Sequence, residues 1–428
     1  MSRHSPSSSG PESASLAPPP PIVEASRGRP EATGEPHAQV GPIRSSRDRL
    51  IQLDVLRGIA ILLVLGRHPA AIPEEARGFV PLADFCFRFG WTGVDLFFVL
   101  SGFLIGGLLF LEIKARDHLD VRRFYVRRAF KILPIYVVFL AVAVGLTVTK
   151  TGWTLPVSNR GLVKAVVVNL LSLQNYLRTP WMHTWSLSVE EHFYFVLPLI
   201  LAFLGVRRAG PGAVRSLPVV PAMTAAAIVS CTVTRLLTFR VGHYDVWKNY
   251  FPTHLRMDGL FFGVFLAYVY HFKPRIMARV AGHRLALVVA GLALLAPMTV
   301  LKLEESWFVP TLGFCWLYLG YGMILLAFVT TPVGEGWAGK VLETRFARAL
   351  AFVGVYSYAI YLFHMDVTRM AVRRLGEVAH LGSLPFDLGY PVITAAYVAA
   401  SVGLGYATSR LIEAPSLALR NRLFPPRD

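Results

Sequence analysis

Only three cysteines occur in 428 residues, which excludes a secreted scaffold stapled by disulfides. Charge is scarce too. Asp, Glu, Lys and Arg make up 16% of the chain, against about 25% in an ordinary soluble domain. Acid is the scarcer sign: 26 Asp and Glu face 43 Lys and Arg, a formal net charge of +17. So basic a balance invites a nucleic-acid reading. That reading needs basic residues spread over polar faces, whereas here long apolar stretches separate basic clusters. No nucleic-acid partner is therefore expected. What the chain has in abundance is apolar: 54% hydrophobic and 12% aromatic residues, too many for disorder over most of its length. The expected fold class is all-α, a polytopic integral membrane helical bundle whose solvent is the lipid bilayer.

Residues 1–48 differ from the rest. They hold nine of the 29 prolines, including Pro18–Pro21, with many Ser, Gly and Ala. Such a segment cannot bury enough apolar surface to offset its ordering entropy, and it lacks the apolar core of a signal peptide. It reads as a disordered cytoplasmic tail. Beyond it, spans of roughly 20 apolar residues are expected at about 51–67, 91–111, 132–148, 184–205, 217–238, 256–272, 285–301, 309–330, 349–366 and 389–410, about ten in all. A further segment, 162–176, is short and carries Lys164, Asn169, Gln174 and Asn175; it is expected to lie in the interface or to re-enter. With ten spans and both termini in the cytoplasm, 27 Lys and Arg fall inside and 14 outside, as the positive-inside rule favours. The expected location is the cell inner (plasma) membrane, as a multi-pass protein.

Ionisable residues inside spans are costly, so each is a candidate for function. In the first span Arg57 and His68 are 11 positions apart, roughly 16 Å along a helix and on one face. Asp54 can pair with Arg57 at i,i+3. The second span carries Asp95 near its start. The loop 112–131 holds Arg122, Arg123, Arg127, Arg128 and Lys131. This cluster suits either membrane-surface retention or a phosphorylated ligand. The densest polar run is His183-Thr184-Trp185-Ser186-Leu187-Ser188-Val189-Glu190-Glu191-His192. Further on, Arg256 can pair with Asp258 or answer Glu190, His364 closes a Tyr-rich span, and Glu413 can pair with Arg410 or with a base on another helix. These residues fall into two expected layers. The outer one holds His68, Asp95, Glu190, Arg256, Asp258 and His364; the inner one holds Asp54, Arg57, Glu413 and the basic loop. No metal is expected, because the histidines lack close ligand spacing.

Leu53-Asp54…Leu56-Arg57-Gly58 followed by His68 resembles the signature of the acyltransferase family 3 membrane proteins. So do Phe97-Phe98-Val99-Leu100-Ser101-Gly102-Phe103 and Trp185-Ser186-Leu187-Ser188-Val189-Glu190-Glu191. Arg256…Asp258-Gly259, Tyr358…His364 and Glu413…Pro415 follow in the family's order, and the resemblance covers residues 49–425 as one transmembrane domain. His192 stands where a Gln is common in the family. The resemblance implies transfer of an acyl group, often acetyl, from cytoplasmic acyl-CoA to a hydroxyl of a cell-envelope glycan or a small molecule such as a macrolide. Acyl-CoA is then a donor substrate, with no resident cofactor. The resemblance makes Arg57 and His68 the central pair and gives the Arg-rich loop, here Arg123, Arg127 and Arg128 together with Arg57, the CoA phosphates.

Ester formation from a thioester needs a base for the hydroxyl and stabilisation of an oxyanion. His68 is the base by residue type. Glu190 is expected to orient it or to bind the acceptor, with Asp54, Asp95, Ser186, Arg256, Asp258, His364 and Glu413 as acceptor-binding or supporting groups. The rival reading is a secondary transporter or flippase using the same buried charges, although the chain shows no internal repeat of the kind common there. Arg57→Lys keeps the charge but loses the planar fork, so acylation is expected to fall about tenfold or more. Unchanged product formation by this variant would reduce Arg57 to a simple counter-charge.

Overall fold

The computed structural model describes residues 50–69, 81–149, 158–206, 217–240, 244–379 and 386–425. The expected tail, residues 1–48, lies outside the described residues. Among the described residues all regular structure is helical. The elements that matter here are α1 (Ile51–Arg67), α2 (Gly93–Arg116), α3 (Val121–Val148), α4 (Asn159–Leu170), α5 (Trp185–Ile200), α6 (Val219–Arg240) and α7 (Met257–Phe272). They are followed by α8 (Arg284–Leu295), α9 (Phe314–Val329), α10 (Arg345–Val355), α11 (Ser357–Phe363), α12 (Phe386–Thr408) and α13 (Ala414–Leu423).

Among the described residues six helices are long and apolar enough to cross a membrane, and up to eight if each of two bent pairs is one span. The bends are 83° between Pro274–Gly282 and Arg284–Thr299, and 60° between Arg345–Val355 and Ser357–Val378. The other two expected spans are helices of 17 and 16 residues, α1 and α7. At 1.5 Å per residue they reach about 25 Å, short of a hydrocarbon core of about 30 Å. Their burial explains the shortness. Ten residues of each are buried, whereas α6 buries four of 22. The short helices are therefore central, clothed by protein, and the longer α6 presents its apolar surface outward. The polar segment 162–176 holds α4, 12 residues long and about 18 Å, too short to cross. Its amides face inward: Asn175 Nδ2 donates to Thr253 Oγ1 at 2.7 Å, and Asn169 Oδ1 accepts from Tyr136 at 3.1 Å.

Small residues hold the central helices together, as in membrane bundles generally. Gly102 on α2 meets Gly263 on α7, and one turn on Gly106 lies against Val264 and Ala267. A Cβ on Gly102 would overlap the Leu260 carbonyl oxygen. The same contact joins α1 to α10, where Gly354 lies against the Asp54 carbonyl and Gly58 against that of Leu350.

Gly102→Ala is expected to cost on the order of 1–3 kcal/mol through overpacking. Gly106→Ala should cost less, since its Cβ would meet Val264 at 3.2 Å. Gly145→Ala, on an exposed face with nothing within 4 Å, should be neutral or stabilising. Thermal unfolding in detergent checks this order; equal melting temperatures for Gly102→Ala and Gly145→Ala would refute the seam.

Candidate active site

Two cavities lie end to end along α1. Leu50, Leu53, Asp54 and Arg57 line the first, of about 750 Å³; Val64, Arg67 and His68 line the second, of about 170 Å³. The helical stripe expected from the 11-residue spacing is present. Ile61, between the two groups, is fully buried and lines neither cavity. Arg57 and His68 thus share a helix face but open into different chambers.

The Arg57 chamber gathers Arg128, Lys131, Glu190 and Glu413 from three other helical segments. Ser186, Glu190 and Tyr194 are four residues apart on α5, so they form one stripe facing it. Glu190 accepts from Tyr194 at 2.6 Å and from Ser101 at 3.1 Å. The Arg128 guanidinium lies 3.9 Å over the Tyr194 ring, a cation–π contact. Glu413 sits on a π-helical turn, Ser409–Glu413, 4.0 Å from Lys131 and bonded to Ser409 at 3.1 Å. Its base comes from another helix, one of the two expected alternatives. Arg123 and Arg127 do not line the chamber. They donate to the carbonyls of Pro425 and Phe424, the latter at 2.9 Å. Of the Arg-rich run, the chamber receives Arg128 and Lys131.

The His68 chamber is walled by Trp91, Trp185, Tyr250 and Phe251, with His183 facing it beside His68. Burial holds the Tyr250 hydroxyl above the ordinary phenol range, so this wall stays neutral. Hydrogen bonding fixes the proton of His68. Nδ1 of His364 lies 2.6 Å from the Tyr361 carbonyl oxygen, which only accepts, so that nitrogen carries the proton. In the neutral ring Nε2 then keeps its lone pair, and it faces His68 Nδ1 at 3.4 Å. The Val64 carbonyl oxygen faces the same Nδ1 at 3.1 Å. Two acceptors around Nδ1 place the proton there and leave His68 Nε2 with the lone pair. His364 and Asp366 reach this site from a π-helical turn, His364–Arg369, a distortion frequent at functional sites.

This corrects the expected layering. Sequence position groups Glu190 with His68 in an outer layer, yet Glu190 lines the Arg57 chamber, and the side chain that faces the His68 imidazole, at 3.4 Å, is His364. The expected partners of Arg256 also change. Arg256 Nη2 meets Asp95 Oδ1 at 2.6 Å, and Asp258 Oδ2 meets Arg235 Nη1 at 2.8 Å. Arg256 is 1% exposed, and its Cζ lies 3.8 Å from the Phe314 ring centroid and 4.5 Å from that of Tyr250.

Residues 50–410 match the family model described as an acyltransferase domain, Acyl_transf_3. The chain belongs to the acyltransferase 3 family. Relatives include the O-acetyltransferase OatA of Staphylococcus aureus strains NCTC 8325 and COL, each 25% identical over 293 residues, which is 65% of this chain and 46% of theirs. SACOL0978 of strain COL is 26% identical over 335 residues, 74% of this chain and 50% of its own. The chain therefore spans about half the length of the curated relatives it matches. No solved structure matches it.

Within this family member, several site residues escaped sequence reasoning. His183 Nε2 is 3.1 Å from the Leu362 carbonyl and Nδ1 is 3.4 Å from Asp366 Oδ2. Tyr361 donates to the His183 carbonyl at 2.8 Å, and its hydroxyl is 2.6 Å from Ser186 Oγ. His183 was visible as the residue opening the polar run. Tyr361 carried no signal, since tyrosines near span ends are ordinary anchors; Asp366 was legible only as the ionisable residue that ends the expected span 349–366.

Asp95→Ala strands a buried guanidinium and is expected to cost about 3–5 kcal/mol. Adding Arg256→Met should recover much of the loss, because an apolar replacement of the whole pair is often neutral. Unfolding midpoints of the single and double variants check this; a double variant as unstable as Asp95→Ala would mean the pair is not the cause.

Proposed function

We propose that the chain moves an acyl group, acetyl in the first instance, from cytoplasmic acyl-CoA in the Arg57 chamber to an acceptor hydroxyl in the His68 chamber. The observation that carries this reading is the pairing of a chamber that gathers Arg57, Arg128 and Lys131 with one whose histidine turns Nδ1 toward two acceptors. Family membership and the O-acetyltransferase relatives support it. The larger chamber is within the usual size of ligand pockets, roughly 300–1,000 Å³, and its Arg57, Arg128 and Lys131 suit the phosphates and polar arm of CoA. The acceptor is a hydroxyl of a cell-envelope glycan or another hydroxylated small molecule. The protein would sit in the plasma membrane with about ten crossings and both termini in the cytoplasm, α1 and α7 counting among them.

In the proposed reaction His68 Nε2 takes the hydroxyl proton as the alcohol oxygen attacks the thioester carbonyl. The tetrahedral adduct collapses with cleavage of the C–S bond, and the electron pair leaves on the CoA sulfur. The proton on His68 then returns to solvent or to the thiolate. His364 keeps the imidazole in the tautomer this step needs. The Arg57 guanidinium holds the donor's phosphate-bearing end.

Purified protein given labelled acetyl-CoA and a panel of hexose, glycan-fragment and macrolide acceptors should release CoA and label an acceptor. His68→Ala should lower this by about 100-fold or more, the usual worth of a positioned base. Near wild-type product formation by a membrane-inserted His68→Ala would remove the role. Absence of CoA release from wild-type protein with every acceptor would favour the transporter reading.

A further inference from the structure

Among the described residues the two chambers share two lining residues, Val94 and Tyr361. On either side of them the lining divides cleanly. Trp91, one turn before Val94 on the same stripe, faces the His68 chamber, and Phe98, one turn after, faces the Arg57 chamber. Likewise Trp185 lines the former and its neighbour Ser186 the latter. Val94 and Tyr361 are 8% and 7% exposed, and at them the two cavities adjoin as separate volumes.

The two sides of this junction differ in stiffness. Val94 rides on backbone that cannot retreat: a Cβ on the adjacent Gly93 would strike the Ala60 carbonyl oxygen of α1 at 2.5 Å. Tyr361 is held through its hydroxyl, which donates to the His183 carbonyl and sits 2.6 Å from Ser186 Oγ. A carbonyl oxygen only accepts, so Ser186 donates to the tyrosine oxygen. Two side-chain hydrogen bonds thus hold the ring across the passage, and both can break without unfolding a helix.

We infer that Val94 and Tyr361 form the acyl filter of this enzyme, the aperture through which the acyl carbon alone passes from the donor chamber to His68, and that they set the acyl chain length. This rests on the proposed use of acyl-CoA. Under that reading the phosphates stay beside the arginines while the thioester carbonyl must reach the imidazole. The acyl substituent is then the one part of the donor clamped between a fixed isopropyl group and a latched ring. A small acyl group fits where a longer one meets Val94.

Competition between acetyl-, propionyl- and hexanoyl-CoA tests this, with CoA release and acceptor labelling both read. One methylene in a fitted apolar pocket changes selectivity by on the order of 10–200-fold. Val94→Ala should therefore raise the propionyl-to-acetyl ratio about tenfold or more, and Val94→Leu should lower it. Tyr361→Phe keeps the ring but frees it from Ser186 and His183, and should move the ratio in the direction of Val94→Ala. A ratio is insensitive to how much protein folds, and substitutions acting in opposite directions cannot both be explained by damage. Wild-type CoA release with one chain-length profile shared by all variants would overturn the filter. If wild-type protein releases no CoA from any thioester, the acyl-CoA reading falls and the filter with it.

Discussion

The site depends on one guanidinium. Arg256 is enclosed by the rings of Phe98, Trp185, Tyr250 and Phe314 and answered by the carboxylate of Asp95. An unpaired cation at that depth would be prohibitive, so as long as Arg256 is present the helix carrying Asp95 has to reach it. The neighbours of the anchoring residues show what this convergence secures. Asp95 follows Val94, and Trp185 precedes Ser186. One electrostatic constraint therefore fixes both the stiff side of the passage and the turn to which Tyr361 is latched. The four rings add cation–π attraction, and two of them, Trp185 and Tyr250, also wall the His68 chamber.

Most of the architecture was legible because membrane helices announce themselves by apolar length. The shared face of Arg57 and His68 was legible as well, since α1 runs unbroken to Arg67 and His68 is its C-cap, and helical phase over three turns is safe arithmetic. What was not legible came from interruptions and from pairing across the bundle. Glu190 was placed with His68 because both were expected near the outer ends of their spans. Adjacent residues at the start of α5, Trp185 and Ser186, in fact face different chambers, so a step of one residue, about 100°, moves a side chain from one compartment to the other. The neighbours of His68 assemble from α1, the short turn Met182–Thr184 and the π turn His364–Arg369. A single sequence does not announce a π turn, and without it the phase of His364 and Asp366 cannot be computed.

The basic loop gives a further lesson about charge. Its arginines read alike in sequence, yet their positions on α3 divide the work. Arg128 faces the cavity and stacks on Tyr194, while Arg123 and Arg127 bind the last described carbonyls of the chain. A helix separates residues by about 100° per position, so a run of like charges rarely serves one ligand. The abundance of Lys and Arg speaks to orientation in the bilayer, and the few that enter the bundle speak to chemistry.

The partition between the chambers carries an electrical consequence. If both chambers are open to water on their own sides, most of any membrane potential falls across the thin layer containing Ile61, Val94 and Tyr361. Moving one elementary charge through such a drop takes about 2.3 kcal/mol per 100 mV. Under the proposed use of acyl-CoA, the neutral acetyl group would cross without electrical work while the multiply charged nucleotide would stay behind on the arginines. On the proposed reading, the division into two chambers lets the cell export a building block without exporting the charge that carried it.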